Sequence, residues 1–455
     1  MRKLICLSTL FLVLCTSFAA IPTNTLPVVY ITTTNNQAIN SKETYVTGTL
    51  RIDPKNTSYP ALTEVTAQFK GRGNWTWNGF DKKPYRIKFD AKQTVLGMPK
   101  NRHWCLLAYA DDYLGYLKGP AGLIISEAIG LRWTPRIRPV ELFINNQYQG
   151  LYFLTEHVRI GSNRVNITEQ EDNATDNVTG GWLVEIDNYA EENNITFTEG
   201  NGENVMVTPK EPEILSSAQR TYIENQLYGL NDAIYGASAE DLWNRLDLDE
   251  AVKYYLVQEI MDDCEAYHGS CFLYKDRDTN GQVDKWKFGP VWDFGNAYDR
   301  SRNGPDHQWI YVEPQFSQHW VGQLASWPEF QAKLQEYWWI YYHHCNDSVI
   351  ARINAFANSL KEAAKNDAQR WNGTQNYCEN RDMTEKTAKF FRRYNPRMEW
   401  LLEQWGEGTQ PATWGIDEVK EKPSRGQIIL RDGQLFIEHN GTIYDLLGRP
   451  ARYAN

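Results

Sequence analysis

In the first half of the chain apolar and polar side chains alternate with a period of two; beyond it the period lengthens to that of a helix. Leu26–Thr33, Thr44–Ile52 and Val65–Lys70 read as early strands. Tyr85, Ile87 and Phe89 alternate with Arg86 and Lys88, which predicts a half-buried strand with a cationic face; that face lines a site or simply meets water. Trp104–Ala110 is a further apolar run, and Gly180–Asp187 another strand. Arg138–Asn145 and Tyr148–His157 form a hairpin about Asn145-Asn146, whose second strand carries Glu156 near its end, facing a cation or solvent.

Helical periodicity begins at Leu117–Gly130, with Pro120 in the first turn and Gly130 at the stop. It returns at Ser217–Tyr235, where Ile223, Leu227, Leu230 and Ile234 share one face, and at Leu248–Met261 with Val252, Leu256 and Ile260. Phe330–His344, Val349–Trp371 and Thr384–Trp405 continue it. The pattern predicts an α+β fold with a β-rich N-terminal part and a helical C-terminal part. Gly406–Pro411 is a linker, and Gln427–Glu438 predicts a hairpin about Asp432-Gly433 in a small β appendage over residues 412–455.

Where the helical half begins, a second pattern brings acids together. Asp278-Thr-Asn-Gly281 separates two runs, Cys271–Asp276 and Lys285–Trp292, that pair as antiparallel strands. The start of the first and the end of the second lie at one end of a hairpin. That end gathers Asp262, Asp263, His268 and Ser270 with Asp293. Asp262, Asp263 and Glu265 also follow a helix C-terminus, where negative charge opposes the helix dipole by about 0.3–1 kcal/mol each. Carboxylates so crowded need a metal, or a Lys or Arg supplied from elsewhere in the chain. Upstream, Lys70-Gly-Arg-Gly-Asn-Trp-Thr-Trp77 is a glycine-punctuated turn with two cations and two Trp; its glycines allow backbone to approach a ligand closely.

Composition sets the class. The 455 residues are 42% hydrophobic and 23% charged, which is globular, and enough for real cores. Residues 1–20 read as a cleaved export signal: basic Arg2-Lys3, apolar Leu4–Phe18, then small Ser17-Phe-Ala-Ala20. No later stretch is apolar enough for a membrane span. The net charge of −10, more negative by two once Arg2 and Lys3 are removed, argues against nucleic-acid partners. Beyond the signal five Cys remain; Cys264 and Cys271 are near enough to pair or to stay as free thiols, and no spacing matches a zinc site.

Seven motifs occur in order: Lys70-Gly-Arg-Gly-Asn, Lys82-Lys-Pro-Tyr-Arg-Ile-Lys, Leu96-Gly-Met-Pro-Lys, Trp104-Cys-Leu-Leu-Ala, Pro139-Val-Glu-Leu-Phe, Gln149-Gly-Leu-Tyr-Phe-Leu-Thr-Glu and Val291-Trp-Asp-Phe-Gly. Together they resemble the CotH family, the spore-coat-protein-H-like kinases, over roughly residues 26–405. The ending Tyr444-Asp-Leu-Leu-Gly-Arg449 is similar to the C-terminal extensions of exported proteins of the Bacteroides group. The family resemblance implies an atypical protein-kinase-like fold, with an N-lobe at about 26–210 and a C-lobe at about 211–405. It also implies phosphoryl transfer from ATP, with Mg²⁺ or Mn²⁺, to a protein Ser/Thr substrate; the signal pattern, separately, predicts an exported protein of the periplasm, cell surface or medium.

On this resemblance Asp293 of Asp-Phe-Gly matches the metal-binding Asp, and Asp263 or Asp262 the catalytic acid. Lys88 and Glu156 match the phosphate-binding Lys and its partner acid, Arg72 joins them at the nucleotide, and Ser270 stands where a metal-binding Asn is expected. A second departure falls in Asp111-Asp-Tyr-Leu-Gly-Tyr-Leu-Lys-Gly119, where Lys118 and Gly119 replace Arg and Asn. These departures keep a second class open: a catalytically silent, kinase-like cell-surface binding or structural protein. N-terminal sequencing of the exported form is expected to begin near Ile21; an intact Met1 on that form would exclude signal cleavage.

Overall fold

Seven strands close on themselves before the first long helix-rich stretch begins. The computed structural model describes residues 26–187, 194–299, 307–312, 318–374 and 382–412, with the backbone of three strands between 427 and 444; the predicted export signal and Cys378 lie outside these. The chain forms two units, residues 1–408 and 409–455.

The barrel comprises β1 (Val28–Thr33), β2 (Val46–Asp53), β3 (Leu62–Gly71), β4 (Tyr85–Val95), β5 (Met98–Leu107), β6 (Ile137–Ile144) and β7 (Gln147–Glu156). Their order is β1-β2-β3-β4-β5-β7-β6, and the ring closes through parallel pairing of β1 with β6, Val28 opposite Glu141. A closed barrel is not the sheet of a typical kinase lobe, so the β-rich N-terminal part is present in a different form from the one the resemblance implies. Closure leaves no open sheet edge. Alternation sorts the side chains: Ile31, Leu50, Phe69, Ile87, Phe89, Trp104, Leu106, Tyr152 and Leu154 fill the barrel. Cys105, Leu107, Leu151 and Phe153, on the outer face, join the core of the rest of the molecule. A short helix, α1 (Trp75–Gly79), follows the Gly-Arg-Gly turn.

The second sheet has the order β12-β11-β8-β10-β9, from β8 (Trp182–Ile186), β9 (Ile195–Thr198), β10 (Asn204–Glu211), β11 (Cys271–Lys275) and β12 (Lys287–Phe288). Cys271 sits opposite Ile186, so residues 182–211 share a sheet with the acidic hairpin rather than with the barrel strands that precede them. The predicted hairpin is present, with Leu273 opposite Phe288 and a turn in which Asn280 (φ 54°) and Gly281 (φ 76°) are both left-handed.

The helices are α2 (Lys118–Ile129), α3 (Ser217–Ile234), α4 (Ala239–Arg245), α5 (Leu248–Met261), α6 (Val321–Leu324), α7 (Pro328–Ile340), α8 (Asn346–Ser359), α9 (Lys361–Arg370) and α10 (Met383–Trp405); α5 packs on β12 and is flanked by α2, α7 and α10, while α9 packs on β7 of the barrel. Ser216 and Gln219 form a reciprocal capping box on α3, and Asp247 accepts from the Glu250 N–H at the start of α5. The predicted helix 349–371 is two helices, broken at Leu360. The break lets α9 turn Asp367 onto β7, where its carboxylate accepts from Leu151 N (2.9 Å), accepts from the Tyr116 hydroxyl, and meets Lys82 at 2.9 Å with both side chains fully buried. Gly150, at φ 97°, is needed there: a Cβ would stand 2.1 Å from Asp367 Oδ1. Among the described residues no helix is long and apolar enough to cross a membrane. Separately, β13 (Gln427–Arg431), β14 (Gln434–His439) and β15 (Thr442–Tyr444) form an antiparallel three-stranded sheet; the predicted Asp432-Gly433 turn and the Asp445–Arg449 ending lie outside the described residues.

The Lys82–Asp367 pair yields a stability test. Asp367→Ala strands a buried ammonium and is expected to cost about 3–5 kcal/mol in urea unfolding. Lys82→Met with Asp367→Asn removes both charges while keeping an acceptor for Leu151, and is expected to recover much of that loss. Equal losses in the two variants would show that the ion pair is not what stabilises the joint.

Candidate active site

Helix α5 ends by handing the chain into a tight loop. Asp262 is left-handed (φ 48°), its N–H caps the helix on Glu259 O at 3.1 Å, and the next residues coil back to β11. The two adjacent acids then part. Asp262 lies 3.4 Å from Arg397 Nη1, whose guanidinium also pairs with Glu259 in the helical core. Asp263, 2% exposed, is bridged through its backbone to Ala297, just beyond Asp-Phe-Gly. Its carboxyl is held well above its usual range by burial, then by Glu265 and Asp293, with Lys118 opposing.

Asp293 follows β12 and is exposed, its Oδ1 accepting from Gly295 N at 2.9 Å. From the position a Cβ on Gly295 would take, Asp293 Oδ1 is 3.2 Å away and Asp111 Oδ2 4.0 Å. Asp111 is therefore a fourth acid of the cluster, raised to about 6 by burial, with Lys118 opposing and Asp293 adding to it. Glu265 is raised to about 7 by burial and then by Asp293, against the hydrogen bond it accepts from the Asn296 amide. Lys118, 3% exposed, donates Nζ to Gly295 O. Glycines bring α2 this close: a Cβ on Gly122 would lie 2.3 Å from the Phe294 ring, and one on Gly119 2.2 Å from the Tyr109 hydroxyl. Ser270, left-handed at φ 52°, leads into β11 directly after Gly269, which packs on Glu265.

The outer face of the barrel carries a row of cations, and Arg72 at its end lies over Trp292, the residue before Asp293. Arg86 and Lys88 alternate with the inward Ile87 and Phe89, so both project from the outside of the barrel. Lys70, opposite Arg86, and Lys88 flank the Tyr45 ring at 5.0 and 5.9 Å. Arg72 continues the row and lies over the Trp292 ring, 5.5 Å from its centre, next to Asp293. Burial and these neighbours keep His103, opposite Lys88, neutral: its pKa falls to about 3, through burial first and then Arg159, Arg86 and Lys88. His157 is lowered well below its usual value by burial, then Arg86 and Arg72. The Nε of Arg86 is buried with no hydrogen-bond partner among the described residues.

The pairing of Lys88 with Glu156 does not occur. Glu156 is opposite Trp104, which is opposite Ile87, and all three face into the barrel; Lys88 is opposite His103 and faces out. The Glu156 carboxylate is instead taken by Arg136, through its backbone N–H at 2.9 Å and its guanidinium at 3.1 Å. Cys264 and Cys271 are free thiols, as are Cys105 and Cys345. The residues missed as site members are Asp111, Lys118 and Arg86; the Asp-Asp-Tyr run before α2 and the alternation of β4 were the available signals.

An acid-bearing loop before the first strand of a hairpin and Asp-Phe-Gly after the second follow the order of the catalytic loop and the metal-binding motif in protein kinases. The model of the CotH kinase protein family matches residues 69–401, and the chain belongs to that family. A comparison with curated proteins finds no match.

The raised acids predict a pH dependence. A carboxyl whose folded pKa lies above its unfolded value binds protons more tightly in the folded state, so its contribution is lost as pH rises between the two values. For Glu265 that window runs from the ordinary 4.5 to about 7. Without added metal, Glu265→Gln is expected to gain in melting temperature relative to the unsubstituted protein as pH rises through this window. A constant difference across it would show that Glu265 is not crowded by Asp293.

Proposed function

We propose that this protein is an exported CotH-type kinase that transfers the terminal phosphoryl group of ATP, with Mg²⁺ or Mn²⁺, to a Ser or Thr of a protein substrate. The observation that carries the reading is the position of Arg72 over Trp292, beside Asp293, where the cationic outer wall of the barrel meets the acid cluster. An anionic nucleotide with a divalent ion satisfies both sides at once: the ion neutralises the carboxylates and the wall takes the phosphates. Asp293 is the metal ligand, with the Ser270 hydroxyl, directly or through water, in the place of an Asn. Asp263 is the acid that orients the acceptor hydroxyl, and Asp262 supports the loop through Arg397. Arg72 and Arg86 hold phosphates, with Lys88 one step further along the same face; Glu156 stays with Arg136. Removal of residues 1–20 and work outside the cytoplasm complete the proposal.

ATP with Mg²⁺ or Mn²⁺ is expected to raise the melting temperature, since a ligand at 100 times its dissociation constant adds about 2.7 kcal/mol. Asp293→Ala is expected to abolish metal-dependent ATP turnover. Asp263→Asn is expected to lower turnover while leaving nucleotide affinity nearly unchanged, because orienting the acceptor is a transition-state role. No thermal shift with millimolar ATP and either metal would leave a kinase-like binding protein and remove the kinase.

A further inference from the structure

At the opposite edge of the second sheet from β12, the turn between β9 and β10 carries a separate set of metal-ligating groups. Glu199 N donates to Glu203 O (2.7 Å), Gly202 N to Glu199 O (3.0 Å), and Glu203 N to Asn201 Oδ1 (2.9 Å), so the turn fixes both glutamates. Opposite them, Trp320 anchors His319. Its ring stacks on Phe197 at 5.8 Å, its Nε1 donates to Asn231 Oδ1 at 3.1 Å, and its backbone N donates to Glu199 Oε1 at 2.7 Å. One ligand atom from each of Glu199, Glu203 and His319 lies within 4.8 Å of the others, close enough for one ion to touch all three.

Two buried atoms at this place lack what burial demands. Glu199 is 3% exposed and His319 4%, yet Glu199 Oε2 and His319 Nδ1 have no hydrogen-bond partner within normal distance among the described residues; the Tyr235 hydroxyl also acts on the Glu199 carboxylate, which leaves the His319 nitrogen the less satisfied of the two. The imidazole Nδ1 stands 3.4 Å from Glu199 Oε1, an oxygen already engaged by Trp320. A cation bound by a carboxylate and an imidazole nitrogen satisfies both atoms, and the exposed Glu203 leaves a route in from solvent.

We propose that Glu199, Glu203 and His319 form a second divalent-ion site, of the zinc type, that ties the β9–β10 turn to the residues entering α6. The donor set selects the ion. One imidazole and two carboxylates supply three protein ligands and leave a fourth position for water, which suits Zn²⁺, whereas Mg²⁺ and Ca²⁺ favour all-oxygen sites. The site uses neither Asp263 nor Asp293, although His319 stacks beside His268 of the loop after Asp263, and it stands whether or not the chain is a kinase.

The test is Zn²⁺ titration of the full chain, stripped with a chelator and freed of it, in an Asp293→Ala background that disables the other acidic site. One equivalent is expected to bind, to survive gel filtration and to raise the melting temperature, and excess Mg²⁺ is expected not to displace it. Losing a group that merely supports a ligand weakens metal binding about 10–100-fold, so Glu203→Gln and His319→Ala are each expected to weaken it at least that much. Glu203 is exposed, so Glu203→Gln decides the matter if His319→Ala fails to fold. The proposal is overturned by failure to bind one equivalent, by unchanged affinity in Glu203→Gln, or by displacement with equimolar Mg²⁺.

Discussion

Four carboxylates, those of Asp111, Asp263, Glu265 and Asp293, crowd one end of a hairpin, and a single buried cation, Lys118, acts on two of them. Burial and mutual repulsion push Asp111, Asp263 and Glu265 upward, and without further positive charge the ionised forms of those three are disfavoured. The local structure lessens that strain where it can. The left-handed turn at Asp262 diverts one acid to Arg397, and Asn296 donates to Glu265. What remains is negative charge beside solvent, with the Arg72 guanidinium over the neighbouring Trp292 ring. A divalent ion bridging to an anion answers that imbalance more directly than a lone Lys or Arg.

Arg72 can lie over Trp292 only because the barrel is fixed against the helical body. The barrel's outer face shares the main hydrophobic core through Cys105, Leu107, Leu151 and Phe153. Asp367 then locks the joint, binding a backbone N–H of β7, the Tyr116 hydroxyl and the Lys82 ammonium together. Arg72 and Arg86 lie on β3–β4 connections and strands that belong to this closed ring. The position of Arg72 over Trp292 therefore follows from the end of β3, which the packed barrel holds in place.

The same closure explains why one family correspondence does not carry over. In a barrel wall the two faces of a strand are an interior and an exterior, and a one-residue difference in parity separates them completely. Lys88 and Glu156 fall on opposite parities, so no side-chain movement can join them. Glu156 finds its charge in Arg136, while Arg86 and Lys88 stay on the outer face of the strand.

Local pattern determined a great deal here. The hairpin at Asn280-Gly281, helices α3 and α5 and the alternation that turns Arg86 and Lys88 outward all follow from neighbours within a few residues, where periodicity and turn chemistry act. The hairpin alone brings Asp263 and Asp293 to one end, where Asp293 acts on the Asp263 carboxyl. Sequence alone could not separate Asp262 from Asp263, because Arg397, more than a hundred residues away, makes the distinction. Nor could it show the parallel pairing of β1 with β6, the arrival of Asp111 and Lys118 at the cluster, or the meeting of His319 with Glu199 and Glu203. Each of these joins segments far apart in the chain, and such contacts are set by which surfaces the cores bury together, which no local period encodes.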